Sequence, residues 1–241
     1  MLNIITALKI EAEPIIKHFK LKSNNNIYQN EKINLIITGS GKIKSAINTA
    51  LLLSKYPYKS LNIGIAGSNL FEIGEGFFIN KITDTDTGFN YYPDFFKEPS
   101  EEIFCISKPN KYFSLVDMES SGFFEAAYKF LNVEQIILYK IVSDTPKTQF
   151  NEKLIPDLIK KHISIIEKII ETKENPFTKI EIEQWLKEAN KKIHLTKTQY
   201  NILKNTLIYL KTKDIPLPKI PNLKSKKETN EFIKSLTNLI S

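Results

Sequence analysis

IILYKIVSD, residues 136–144, runs apolar for almost its whole length and ends on a carboxylate. A half-exposed strand alternates polar and apolar residues; a run that barely alternates belongs to a strand buried on both faces. Similar runs of strand length recur at Leu2–Leu8, Ile33–Thr38, Leu61–Ala66, Gly76–Ile82 and Ile103–Ser107. Between them, Ser45–Tyr56 and Glu119–Leu131 have the apolar spacing of helices, and Asn151–Glu171 continues in the same way with Pro156 near its start. Buried strands alternating with helices predict a sheet covered on both faces, an α/β sandwich.

At 241 residues, 41% hydrophobic and 25% charged, the chain is long enough for a large core and lies outside the disordered class. The pattern changes near Lys173, where KENPFT interrupts it, which predicts units at 1–172 and 173–241. The second unit offers helices at Lys179–Lys192, Lys197–Lys211 and Lys227–Ile240. Between the last two, DIPLPKIPNL carries three prolines and reads as an extended connector. Charge divides unevenly: residues 1–172 hold 20 Lys against 20 Asp and Glu, and residues 173–241 hold 14 against 7, so the second unit carries the net +7. Its lysines read either as solvated helix faces or as a docking module for nucleic acid or an acidic protein.

Every basic residue is lysine, so a bidentate guanidinium clamp for phosphate cannot be built. The opening MLNIITALKIEAEP meets Lys9 and Glu11 too early for a signal or a membrane span, and predicts a cytoplasmic chain with no membrane contact. Cys105 is the sole cysteine and reads as a buried thiol. His18, His162 and His194 lack metal-ligand spacing, so no metal and no cofactor is expected.

Two glycine clusters close strands, Thr38-Gly39-Ser40-Gly41-Lys42 and Gly64-Ile65-Ala66-Gly67-Ser68. Each reads as a bare turn or as a backbone cradle for phosphate or sugar. Glu11 and Glu13 follow the first strand, Asp117 and Glu119 precede a helix, and Asp144 ends the 136–144 run. These carboxylates can converge on one cleft, although Asp144 also suits a helix N-cap.

Five segments in this order, ALKIEAE (7–13), TGSGK (38–42), GIAGS (64–68), VDMESSG (116–122) and IVSD (141–144), resemble the purine nucleoside phosphorylase superfamily. The resemblance is closest to its methylthioadenosine/S-adenosylhomocysteine nucleosidase branch. It implies a three-layer sandwich with a central mixed sheet flanked by helices, and a homodimer that cleaves a purine ribonucleoside to free base and sugar. By the resemblance, Met118 packs under the ribose and Glu119 accepts from its hydroxyls. Asp144 delivers a proton towards purine N7, and Glu11 orients or activates the attacking water. Ser143, Gly39, Ser40, Gly64, Ile65 and Ala66 are the further substrate contacts it implies.

Phosphorolytic members generally hold phosphate with arginines, so this composition favours water. Lys42 and Lys140 are the candidates for a substitute point charge, Lys140 standing where relatives often have arginine. Only about 33 residues separate Thr83 from the Asp-Met-Glu segment, fewer than in the nucleosidases it resembles. Lys108, Pro109 and Tyr112 or Phe113 are candidates to rebuild the base-binding loop, and GFNYYPDFF (88–96) to act as a dimer contact or lid. Phosphorolysis, or a nucleoside-binding scaffold that has lost catalysis, are the alternatives.

Overall fold

The structure is a computed structural model. It describes residues 1–94, 99–108, 113–148, 150–171, 176–193, 195–212, 215–221, 223 and 225–237. Pro109, Tyr112, the Phe95-Phe96 end of the aromatic stretch, Lys173 and His194 lie outside these residues. The chain forms two compact units, Met1–Glu171 and Thr172–Ser241.

The first unit runs β1 (Leu2–Thr6), α1 (Lys9–His18), β2 (Lys22–Asn24), β3 (Ile27–Gln29), β4 (Ile33–Ile37), α2 (Lys42–Lys55), β5 (Ser60–Gly67), β6 (Gly76–Asp84) and β7 (Asn90–Tyr91). It continues through β8 (Ser100–Cys105), β9 (Val116–Asp117), α3 (Ser120–Ala127), β10 (Ile136–Asp144), α4 (Ile155–Lys161) and α5 (Ile163–Glu171). The sheet is mixed. Its order is β10-β6-β8-β9-β5-β1-β4-β3-β2, with β7 on β6. Strand β10 also pairs with β5, parallel, while meeting β6 antiparallel, so β5, β10, β6, β8 and β9 close into a ring.

Strand β10 explains its own sequence. Ile136, Leu138 and Val142 enter a core shared with Leu52 and Leu53 of α2 and Phe123, Phe124 and Ala127 of α3. Ile137, Tyr139 and Ile141 enter another, shared with Ala12 and Ile15 of α1, Ile155 and Ile159 of α4, and Ile166 and Ile169 of α5. Apolar residues are needed on both faces because helices cover both. The expected α/β sandwich is therefore present.

Three local differences from the sequence reading stand out, and the first two have physical causes. Strand β1 ends at Thr6, and α1 starts at Lys9 although Pro14 lies inside it. Pro14 removes one backbone donor, and the burial of Ala12 and Ile15 keeps the helix in place. The Asn151–Glu171 pattern breaks at His162, whose Nδ1 lies 2.8 Å from the Tyr139 hydroxyl and whose Nε2 lies 3.0 Å from the Gly74 carbonyl oxygen. Helix α3 stops at Ala127, short of Leu131.

Along α2, Ile43, Ile47 and Leu51 are exposed, as are Phe89 and Tyr92. Tyr91 instead packs on Phe124, with ring centroids 5.4 Å apart.

The second unit contains α6 (Pro176–Ile193), α7 (Lys197–Thr212) and α8 (Lys226–Thr237). Ile182, Leu186, Ala189, Leu203, Leu207, Ile233 and Leu236 form its core. The Trp185 indole N–H donates to the Pro218 carbonyl at 2.6 Å, fastening α6 to the proline connector. Helix α7 starts with a reciprocal cap: Gln199 N–H donates to Thr196 Oγ1 at 3.2 Å, and Thr196 N–H donates to Gln199 Oε1 at 2.9 Å. Among the described residues no helix is long and apolar enough to cross a membrane, and no group of three or more His, Cys, Asp or Glu could hold a metal.

Candidate functional site

A cavity of about 440 Å³ opens where β1, β5 and β10 end. Glu11, Ser40, Ile65, Ala66, Met118, Glu119, Ser143 and Asp144 of the sequence-derived set all line it. Gly39 and Gly64 are not part of its wall.

Glu11 comes from the first turn of α1 and is 2% exposed. Its Oε2 accepts from the N–H groups of Ala7 and Leu8 at 2.9 and 2.7 Å, and its Oε1 from Ile65 N–H at 2.9 Å. Burial pushes its carboxyl up to about 7, against the pull of these amides and of Lys140. Gly64 makes room for it, since a Cβ there would stand 2.7 Å from Glu11 Oε1.

The Val116–Glu119 run crosses between β8 and β5, where Val116 pairs with Phe104 and Gly67. Glu119 then stands at the N-cap of α3. Its Oε1 accepts from Ser40 Oγ at 3.0 Å and from Gly41 N–H at 2.7 Å. Gly41 adopts φ +104°, a conformation that favours glycine, and its amide is thereby turned to the carboxylate. Burial raises the Glu119 carboxyl, and the nearby Asp117 adds to the rise. Met118 lies between the two acids on the cavity wall. At the end of β10, the Ser143 hydroxyl donates to Asp144 Oδ1 at 2.6 Å.

Both lysines considered for phosphate are committed to carboxylates. Lys42 Nζ lies 2.9 Å from Asp84 and also binds Asp86. Lys140 Nζ lies 2.8 Å from Asp117 Oδ2. Neither lines the cavity. Asp117 also accepts from Ser120 Oγ at 2.7 Å and from Ser120 N–H at 3.1 Å.

Of the base-loop candidates, Phe113 stacks on Phe104, with centroids 4.4 Å apart, and neither it nor Lys108 lines the cavity. Ile106 and Phe150 do. Sequence reasoning missed both: Ile106 reads only as part of the Ile103–Ser107 strand run, which in the structure ends at Cys105, and Phe150 as a lone apolar residue with no periodic signal. It also missed the pairing of Asp117 with Lys140, 23 residues apart in the chain.

No protein-family model matches the sequence, and no curated protein matches it. Solved structures do match. The 5'-methylthioadenosine/S-adenosylhomocysteine nucleosidase of Campylobacter jejuni superposes with a TM-score of 0.60 at 17% identity, covering 71% of this chain and 99% of that one. The 5'-methylthioadenosine nucleosidase of Arabidopsis thaliana gives 0.61 at 14% identity, over 72% and 96%. The nucleosidase of this type from Chlamydia trachomatis, bound to adenine, gives 0.57 at 18% identity, over 70% and 98%. Nearly the whole length of each of these chains is thus matched by about seven-tenths of this one, which carries the fold of the methylthioadenosine/S-adenosylhomocysteine nucleosidases.

Proposed function

We propose that the protein hydrolyses the N-glycosidic bond of a purine ribonucleoside, of the 5'-methylthioadenosine or S-adenosylhomocysteine kind, to free base and sugar. The observation that carries this reading is the convergence of Glu11, Glu119 and Asp144, from three separate parts of the chain, on one cavity.

The chemistry follows from charge. As the bond from C1' to N9 breaks, its electron pair goes to the purine and positive charge spreads over C1' and the ring oxygen. A proton delivered to N7 from the Asp144 carboxyl neutralises the leaving base, and the Ser143 hydroxyl orients that carboxyl. Glu119 binds the ribose hydroxyls, and its negative charge favours the cationic sugar of the transition state over the neutral substrate. Glu11 takes a proton from water as the water oxygen bonds C1'. A carboxyl held near 7 suits a base working at neutral pH.

Water is favoured over phosphate because the described cavity wall carries acids and no lysine. A phosphate entering beside these acids would meet repulsion with no lysine on the described wall to bind it. The test is a phosphate-free panel of purine nucleosides assayed for base release. Adenine release from 5'-methylthioadenosine is expected, with a loss of about 10²- to 10⁴-fold in Asp144→Asn. Turnover strictly dependent on phosphate would select phosphorolysis, and tight binding without turnover a scaffold.

A further inference from the structure

The hydrolytic steps make no use of Lys140, yet it is 2% exposed beneath a site built of acids. Its ammonium lies 2.8 Å from Asp117 Oδ2, with side-chain exposures of 2% and 1%. Sealing two ions costs several kcal/mol each, and an apolar pair often serves stability equally well. A role in stability alone is therefore a weak account of it.

Its neighbours suggest another. Across the β10–β5 pairing, Lys140 is in register with Gly64, the residue whose missing Cβ makes room for Glu11 Oε1. Asp117 and Glu119 are two residues apart on the adjoining run. Asp117 holds the ammonium by direct contact, and Glu119 and Glu11 act on it through their charge.

We propose that Lys140 is a positioning residue that sets the charge on Glu11, and that Asp117 limits how much of the ammonium's field reaches that carboxylate. Burial dominates the Glu11 carboxyl and raises it; Lys140 draws it down and Glu119 pushes it up. For Lys140, burial opposes the charge, while Asp117, then Glu119, then Glu11 favour it, and the net direction is upward. The ammonium therefore stays charged. Among the described residues, the ionisable groups sharing the cavity with Glu11 are Asp144 of β10, Asp117 of β9 and Glu119 at the head of α3. On α1 itself, Lys9 and Glu13 are exposed and lie 3.9 Å from each other.

The inference rests on the hydrolytic reading only where it treats Glu11 as the base. It is tested by titrating side-chain carboxyl carbons by ¹³C NMR in the full chain, with Glu11 assigned through Glu11→Gln, and by pH–rate profiles for adenine release. Lys140→Met is expected to raise the Glu11 midpoint by about one unit or more, tenfold in proton affinity. Asp117→Asn, which frees the ammonium, is expected to lower it, and Lys140→Arg to restore it towards the wild type. The acidic limb of the rate profile should follow each shift. A simple packing role would not move the midpoint in opposite directions. Shifts of one sign, or a fixed midpoint, would overturn the proposal. Should Lys140→Met fail to fold, the near-isosteric Asp117→Asn decides alone, and an unmoved or raised midpoint overturns it. If wild-type protein releases no base, the hydrolytic reading falls, while the titration still reads the coupling.

Discussion

Glu11 ties the proposed function to a thermodynamic cost at a single residue. Its folded pKa, pushed up to about 7 by burial, lies above the ordinary carboxyl value of 4.5. As pH rises through that window the unfolded chain releases its proton first, so the native state is progressively disfavoured. Stability contributed by the retained proton is complete below about 4.5 and lost above about 7, amounting to about 3 kcal/mol for this group. Glu119 is shifted in the same direction and adds to the trend. Urea unfolding followed by circular dichroism should therefore give a lower free energy at pH 8 than at pH 5, and Glu11→Gln should flatten the slope. An unchanged slope in that variant would show that Glu11 does not carry it. On the proposed hydrolytic reading, catalysis and stability thus make opposite demands on one carboxylate.

Among the elements, the end of β5 and the start of α1 are matched through one absent side chain. Gly64→Ala would put a methyl where Glu11 Oε1 now approaches, displacing the carboxylate while leaving the β5 backbone pairings in place. A displacement approaching 1 Å can cost about 10²-fold in rate. The expected outcome is base release reduced by about that factor with far-UV dichroism unchanged; full activity would mean that Glu11 can relocate freely. How much of this was legible depended on whether a feature is local. Strand β10 could be read because two helical layers demand apolar residues on both of its faces. The acids at Glu11, Glu119 and Asp144 stood out because each follows a strand or opens a helix. Helix α1 was hidden by Pro14, a local breaker overruled by tertiary burial. Asp117 with Lys140 and Gly64 with Glu11 are relations across the sheet, and neither has a signature within its own stretch of chain. Ile106 and Phe150 became site residues only through the course of their loops.

At the scale of the molecule, the two units present different surfaces. The first exposes an apolar row on α2, Ile43, Ile47 and Leu51 at helical spacing, a face suited to a second copy of this chain. The second exposes Lys187, Lys191, Lys192, Lys197, Lys219, Lys226, Lys227 and Lys234, a surface suited to phosphates. Salt separates the two, since it screens charge and leaves apolar burial largely intact. In sedimentation with a labelled DNA duplex, these surfaces predict a dimer from low to high salt, and a complex with the duplex that forms at low salt and is lost as salt rises. Salt-independent behaviour of the duplex, or a monomer throughout, would reject the corresponding half of this expectation. Trp185 is the only tryptophan in the chain, and it is anchored in the helical unit through its bond to Pro218. Excitation at the red edge of protein absorbance will therefore light residues 172–241 alone, and the colour and polarisation of that emission will follow the helical unit against a first unit that stays dark.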